Sequence, residues 1–523
     1  MIDTVGRYKR LALEREPFLH TARNAAALTI PSLMPPEGHA KGAKLRAPYQ
    51  SLGARGVNHL SSSLLLSLLP PSQPFFRLKV SDIARQNAEQ ALEQGLEGAP
   101  TAEELEADMV ATEKAIMQEF ETSSVRTAAH EALKHQVVSG NALIYWPEGD
   151  KNLPRIYALD EYVVDRDHND NLLEIIVREL VDPDTLSDEI RTLVASQPDL
   201  DPPASPSDRK HLELYTVIKR EPGDKAIFKQ HQEIKGVELP GSQGTWPEEV
   251  MPWRANRFFR ISGESYGRGF IEENFGDLAS LNVLQRSLLE AAEQAAKVIW
   301  LVKPNSTTKQ RVVTDTPNGQ ARPGNIDDVA ALRLDKSADM RFALDLRNEL
   351  FQSLSAAFLL RQGVQRNAER VTAEEVRLVA QELEDSLGGV YSVQATEFQL
   401  PLVKIAMARL ERRGVIEALP DGIVEPSIVT GLEALGRGHE IYSLKGFLGD
   451  VIQLPGAEMQ LNVRDIIASF ANGYGISIND ALKSEADVQA EQQQQQLMQL
   501  AEKAAAPVAG NLTAGAGVPT EQG

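Results

Sequence analysis

Arg361-Gln362-Gly363-Val364-Gln365-Arg366-Asn367-Ala368-Glu369-Arg370 is a short basic loop, and Val371-Thr372-Ala373-Glu374-Glu375 opens a helix directly behind it. Thr372 has the chemistry of an N-cap and Glu375 stands three residues on, so the pair forms a capping box that satisfies two orphan amides. Glu374 and Glu375 also lie where the helix dipole favours negative charge. Apolar residues recur at Val376, Val379, Leu383 and Leu387, then at Leu400, Val403, Ala406 and Leu410, the spacing of one helix face. Gly388-Gly389 interrupts the pattern as a bend point or as a loop between two helices, and Pro401 adds a kink. At ~1.5 Å per residue, forty helical residues span on the order of 60 Å. A rod of that length calls for neighbours to cover it.

The rest of the chain predicts a mainly helical protein with smaller mixed α/β parts. Residues 1–30 read as helix up to the breaks at Pro31 and Pro35-Pro36. Gly53 to Leu69 is helical with Val57, Leu60, Leu64 and Leu68 on one face. Thr101 to Glu119 opens on a second capping box, and Val125 to Ser139 follows as helix. Ala142 to Trp146 reads as a strand. Tyr162–Asp165 and Leu172–Arg178 flank a turn and form a hairpin. Residues 180–245 alternate turns with short strands such as Leu212 to Ile218. A long helical pattern covers 270–300, residues 303–340 are a loop-rich insert with short strands, and helix returns over Phe342 to Leu360. From Glu491 the chain becomes Gln-rich and then Ala/Gly/Pro-rich, a helix fading into disorder.

Composition narrows the function. The 523 residues include no cysteine, which excludes disulfides, thiolate nucleophiles and Cys-based metal sites. The start of the chain lacks the apolar core of a signal peptide. The run Leu64-Leu65-Leu66-Ser67-Leu68-Leu69 is too short to cross a bilayer, so a soluble, intracellularly made protein with no membrane partner is expected. A balance of 54 basic against 74 acidic residues gives −20. That opposes tight static binding to nucleic acid and is compatible with a wall along which DNA slides.

No catalytic constellation emerges. There is no P-loop pattern. Gly53-Ala54-Arg55-Gly56 could cradle a phosphate before a helix, but a tight turn is the favoured reading, as it is for Gly263 to Gly269. His130 and His135 are five residues apart, which puts them on different helix faces rather than on one zinc-binding face. Asp165, Asp167 and Asn169 begin like a calcium loop, but Asp170 occupies the required glycine position and Ile176 that of the bidentate Glu. Neither a metal nor a cofactor is expected.

Taken in order, several stretches closely resemble the portal proteins, or head-to-tail connectors, of short-tailed phages. They are Thr29–Leu33 with Gly53–Gly56, Ala132–Lys134 with Val138-x-Gly140-Asn141, and Gly263-Glu264-Ser265-Tyr266-Gly267-Arg268. The series continues with Val364–Arg366 and Arg370–Glu375, Glu382–Ser392, and Thr430–Gly438. The resemblance implies a portal-type subunit that assembles into a ring of twelve at one capsid vertex. Such a ring is a channel for double-stranded DNA in packaging and ejection. Its implied partners are the terminase packaging motor, major capsid and scaffolding proteins and a tail adaptor, with assembly in the host cytoplasm.

The implied division is wing over 1–269, stem helices over 270–300 and 341–360, and clip over 301–340. A tunnel loop over 361–371, a long bent helix over 372–413, crown over 414–484 and tail over 485–523 complete it. Within this frame Arg361, Gln365, Arg366 and Arg370 face DNA at the constriction, or the arginines pair with Glu369, Glu374 or a neighbouring subunit. Glu272, Glu273, Asp277, Glu290 and Glu293 line the channel, or form a solvated outer face. Twelve copies at −20 each would carry −240, a field that disfavours static DNA binding. The rival readings are another ring-forming phage protein, such as a tail adaptor, and a nuclease or motor component.

Overall fold

The computed structural model describes residues 3–40, 42–71, 74–80, 102–149, 153–195, 211–223, 226–297, 299–332, 337–360, 387, 389–416, 424–428 and short fragments near 446–451 and 466–467. The tunnel-loop residues Arg361, Gln365, Arg366 and Arg370, the cap Thr372 with Glu375, Thr101, Gly388 and the C-terminal tail lie outside them. The chain divides into two units. The first comprises 1–77, 115–419 and 426–434, and the second 78–114, 420–425 and 435–523. In the second unit the Glu113 carboxylate accepts the Leu78 amide at 2.9 Å.

The first unit is built on three helices, α1 (Thr4–Leu28), α2 (Leu52–Leu68) and α4 (Val125–Ser139); α3 (Ala102–Thr122), whose residues up to 114 belong to the second unit, precedes the last. The face read from sequence on α2 is the buried one: Val57, Leu60, Leu64 and Leu68 are all essentially inaccessible. It packs on α4, in which Ala128, Ala129, Ala132 and Leu133 are buried. Gly53 and Gly56 correct the expected turn, for both lie inside α2. A Cβ at Gly53 would come within 2.6 Å of the Leu28 carbonyl, and one at Gly56 within 2.5 Å of the Phe358 ring. These glycines make room for neighbouring elements rather than for a phosphate.

After α4 the chain reverses at Gly140, whose φ of 77° and lack of a side chain suit the left-handed cap. It enters β1 (Asn141–Tyr145), which pairs with β2 (Arg155–Tyr157) and with β9 (Trp253–Arg257). Trp146 stands just past β1 and is wholly buried. A second sheet contains β3 (Tyr162–Arg166), β4 (Leu172–Val181), β5 (Leu212–Arg220), β6 (Ile227–Ile234) and β7 (Val237–Glu238) in that order. In the same sheet β8 (Gly244–Pro247) also pairs with β6.

The region expected to hold only short strands thus carries two full-length ones, because β5 finds β4 along its whole length and the ladder outweighs its irregular polar pattern. A short helix, α5 (Asp188–Ala195), precedes β5. The β3–β4 turn is the expected hairpin: Asp167 accepts the amides of Asn169 and Asn171, both at 2.8 Å. Helix α1 lies on this sheet through Tyr8 and Leu11 against Val163, Ile176, Tyr215 and Val217. Its buried Arg15 donates to the carbonyls of Leu159, Asp160 and Tyr162 at 3.0, 3.0 and 2.7 Å.

An arm follows, made of α6 (Phe270–Glu273), α7 (Phe275–Ala296), strands β10 (Ile299–Val302) and β11 (Val329–Leu332), and α8 (Ser337–Ala357). The single helix expected over 270–300 is broken at Asn274, whose side chain donates to the Phe270 carbonyl at 3.1 Å. It ends at Ala296, and the β-branched and aromatic run Ile299-Trp300-Leu301-Val302 forms a strand antiparallel to β11. Helices α7 and α8 pack on each other. Beyond the arm, helix runs from Gly389 to Gln394 and widens to a π-turn at Ala395–Gln399. It continues as α9 (Leu400–Arg412).

Candidate functional site

The arm is anchored at one end and bare at the other. At its base Leu278, Leu281, Leu354 and Phe358 are buried, and the Phe358 ring meets Phe270 edge-on at 5.5 Å. Farther along, large apolar side chains stand in solvent: Val283 is 60% exposed, Trp300 54%, Ile299 54% and Phe342 73%. Large apolar side chains left in solvent together are typical of surfaces used for interaction.

The five proposed channel acids all lie on α6 and α7. Glu272 accepts from Arg268 at 2.7 Å, Glu290 from Arg286 at 2.7 Å and Glu293 from Lys297 at 2.9 Å, each pair four residues apart. Glu273 and Asp277 are exposed. Asp277 stands in the first turn of α7, where a negative charge complements the helix dipole. Acid thus runs along this helix, but three of the five carboxylates are met by basic neighbours.

The π-turn is the second distinctive locus. Within it Glu397 accepts from the Arg257 amide at 3.2 Å and from its guanidinium at 2.6 Å, while Gln394 donates to the Arg257 carbonyl at 2.9 Å. Arg257 also meets Asp170 at 3.4 Å, and Arg260 meets the same carboxylate at 2.7 Å. Burial alone would raise Asp170, but these two arginines hold its carboxyl below the usual range. Arg166, buried beside Arg257, is pushed down by desolvation and by that neighbouring charge. Gly389 is helical, and a Cβ there would touch nothing. Among the described residues, the irregularity of this long helix sits at the π-turn two residues before Pro401.

A third cluster fastens α9. Arg409, 4% exposed, donates to Glu119 at 3.2 Å, to the Gly149 carbonyl at 2.9 Å and to the Pro147 carbonyl, with its guanidinium 5.0 Å above the Trp146 ring. Burial would raise Glu119, but hydrogen bonds from Arg413 and Ser123 and the charges of Arg413 and Arg409 hold it below the ordinary carboxylate value. The histidines rejected as a zinc pair have separate roles. His130 meets Ser62 at 3.2 Å, and burial depresses His135 to about 4.

Two motifs noted separately in the sequence meet in space. Asn141 donates to the Gly267 carbonyl at 2.8 Å and accepts the Gly267 amide at 2.8 Å, so the Gly140-Asn141 turn reads the backbone of the Gly263–Gly269 loop. A Cβ at Gly140 would collide with that loop, and one at Gly269 would come within 2.7 Å of the Val138 carbonyl.

The family model described as "Bacteriophage head to tail connecting protein" matches residues 3–479. The chain belongs to that family. It is 36% identical over 512 residues to the portal protein of Escherichia phage T7, covering 97% of this chain and 93% of the relative. It is 37% identical over 495 residues to the portal protein of Enterobacteria phage T3, covering 92% and 88%. Among solved structures, a chain from the neck of a native gene transfer agent particle, computed with C12 symmetry, shares 10% identity at a TM-score of 0.36, over 81% of this chain and 89% of that one.

This head-to-tail connector is thus a phage portal protein, a structural component of the virion at the head–tail junction and not an enzyme. No helix among the described residues is long and apolar enough to cross a membrane. Arg257, Glu397, Arg409 and Glu119 were not legible as a site. Their partners stand 140 and 290 residues away, and no local spacing marks such pairs.

Proposed function

We propose that this connector closes into a ring, twelve subunits in number, at one capsid vertex and conducts double-stranded DNA during packaging and ejection. The single observation that carries the ring is the arm, whose Val283, Trp300 and Phe342 are more than half exposed in the isolated chain. Equivalent arms side by side would cover them, and cyclic closure uses one such interface repeatedly. On this reading α7 and α8 form the stem and the β10–β11 ribbon with its loops forms the clip. Residues 1–269 with the helix over 372–413 form the wing, 414–484 the crown, and 485–523 a C-terminal tail.

Arg361, Gln365, Arg366 and Arg370 then belong to a loop facing DNA. Glu272, Glu273, Asp277, Glu290 and Glu293 contribute an acidic lining that disfavours static binding of phosphate. The terminase motor, capsid and scaffolding proteins and a tail adaptor are the partners this role requires. Electron microscopy of the purified chain tests the reading. Closed rings with twelvefold order and a channel of duplex width are expected, and Phe342→Glu should leave monomers or open oligomers. A wild-type chain that stays monomeric at high concentration, or rings without a channel, would refute it.

A further inference from the structure

The π-turn at Ala395–Gln399 ends two residues before Pro401. In an uninterrupted α-helix residue 401 would donate to the carbonyl of Glu397, but proline has no N–H and its ring collides with that carbonyl. The wider turn takes up the mismatch: the Leu400 amide reaches back five residues to the Ala395 carbonyl.

The turn is also gripped from outside. Glu397 receives the backbone amide and guanidinium of Arg257, and Gln394 holds the Arg257 carbonyl. Arg257 is fixed in turn by Asp170, with its side chain 3% exposed. Gln399 ties the far end of the turn to the Leu68 carbonyl at 2.6 Å. A proline inside the helix and an ion pair outside it therefore favour the same local register.

We propose that the Arg257–Glu397 clamp and Pro401 together form a register lock, and that a second, fully α-helical register of this helix lies one residue away. Relaxing a π-turn to α over the same residues rotates everything on its N-terminal side by about 100°, because one residue per turn is no longer absorbed. Each side chain then takes the face its predecessor held. Val390, now 1% exposed, would move to the exposed face of Gly389, and Ser392, now exposed, to the buried face of Tyr391. In the locked register the Tyr391 hydroxyl donates to Ser67 on α2 at 2.8 Å, so the register decides which side chains of this segment meet α2. The inference does not depend on the ring.

The absence of cysteine from the chain permits a direct test in the full-length protein. Val390→Cys and Ser392→Cys are made singly as reporters, each in the wild-type background and in Glu397→Ala with Pro401→Ala, and iodoacetamide modification rates are measured under native conditions. Release of the lock should raise the rate at 390 and lower it at 392, each by about tenfold, as expected for exchange of a buried and an exposed thiol position. A second background, Arg257→Gln with Pro401→Ala, removes the clamp from the other side and should give the same opposed pair of changes. Unchanged rates in both backgrounds, or a rise at both positions as in local unfolding, would overturn the proposal.

Discussion

Arg409→Met isolates what the buried cluster contributes. Methionine keeps the unbranched stem in its place, but it removes the donors to the Pro147 and Gly149 carbonyls, the contacts with Glu119 and the cation over Trp146. Two carbonyls losing charged donors amount to about 1.5–3 kcal/mol each at most, and removing one partner of a buried pair typically costs about 3–5 kcal/mol. Glu119 keeps Arg413 at 2.8 Å and Ser123 at 3.0 Å, so the pair contributes the lower end of its range and the total loss is expected to be at least about 3 kcal/mol. Arg412→Ala provides the contrast. Its pair with Glu148 is half exposed, and such a pair contributes about 0–1 kcal/mol.

The assay is urea unfolding of the full chain, followed by tryptophan fluorescence. The pH dependence supplies a second readout. The folded Glu119 carboxyl lies below its ordinary value of 4.5, so its contribution is present above that value and is lost as pH falls through the lower, folded one. Arg409→Met weakens this effect, and the gap between wild type and variant should narrow below pH 4.5. A variant within about 1 kcal/mol of Arg412→Ala, small enough to be a surface effect, or a gap that stays constant with pH, would refute the cluster's role.

Three further outcomes are expected. Burial depresses folded His135 to about 4 from its ordinary 6.5, so stability falls as pH drops from 6.5 toward 4 by on the order of 3 kcal/mol; a His135→Leu chain should lack that slope in the same urea assay. Gly56→Ala places a Cβ 2.5 Å from the buried Phe358 ring and should destabilise by roughly 1–3 kcal/mol, with Phe358→Leu relieving much of it in a double-mutant cycle. Arg366→Ala with Arg370→Ala should leave ring assembly intact on electron micrographs while impairing packaging or retention of DNA, and normal full heads would show that these arginines serve another purpose.

Two helices were legible in the sequence: α2 falls where the stripe Val57, Leu60, Leu64 and Leu68 placed it, and α4 over the expected Val125–Ser139. What the pattern could not carry is pairing between distant segments. The strand β5 reads as a short, irregular stretch until β4 satisfies it, and Ile299–Val302 continues a helical pattern until β11 lies beside it. Glycine was the most misleading residue type. Gly53 and Gly56 look like a turn because glycine permits one, whereas here they are helix interior made bare by a carbonyl and a phenyl ring.

The same limit explains the candidate site. Acidic residues on α6 and α7 could be found by eye, yet whether they present free charge depends on Arg268, Arg286 and Lys297, each four residues away in the sequence. Solvent-accessible i,i+4 pairs of this kind are weak and screened by salt, so on the proposed channel reading the carboxylates would still act as a diffuse repulsive surface toward a polyanion. The buried arginines are different. Arg15, Arg257 and Arg409 are turned inward on backbone carbonyls and carboxylates, where desolvation makes them expensive to free and so unavailable to phosphate. Grip on DNA would therefore have to come from arginines other than these, and the Arg366 and Arg370 experiment discriminates between a gripping loop and a wall that only repels.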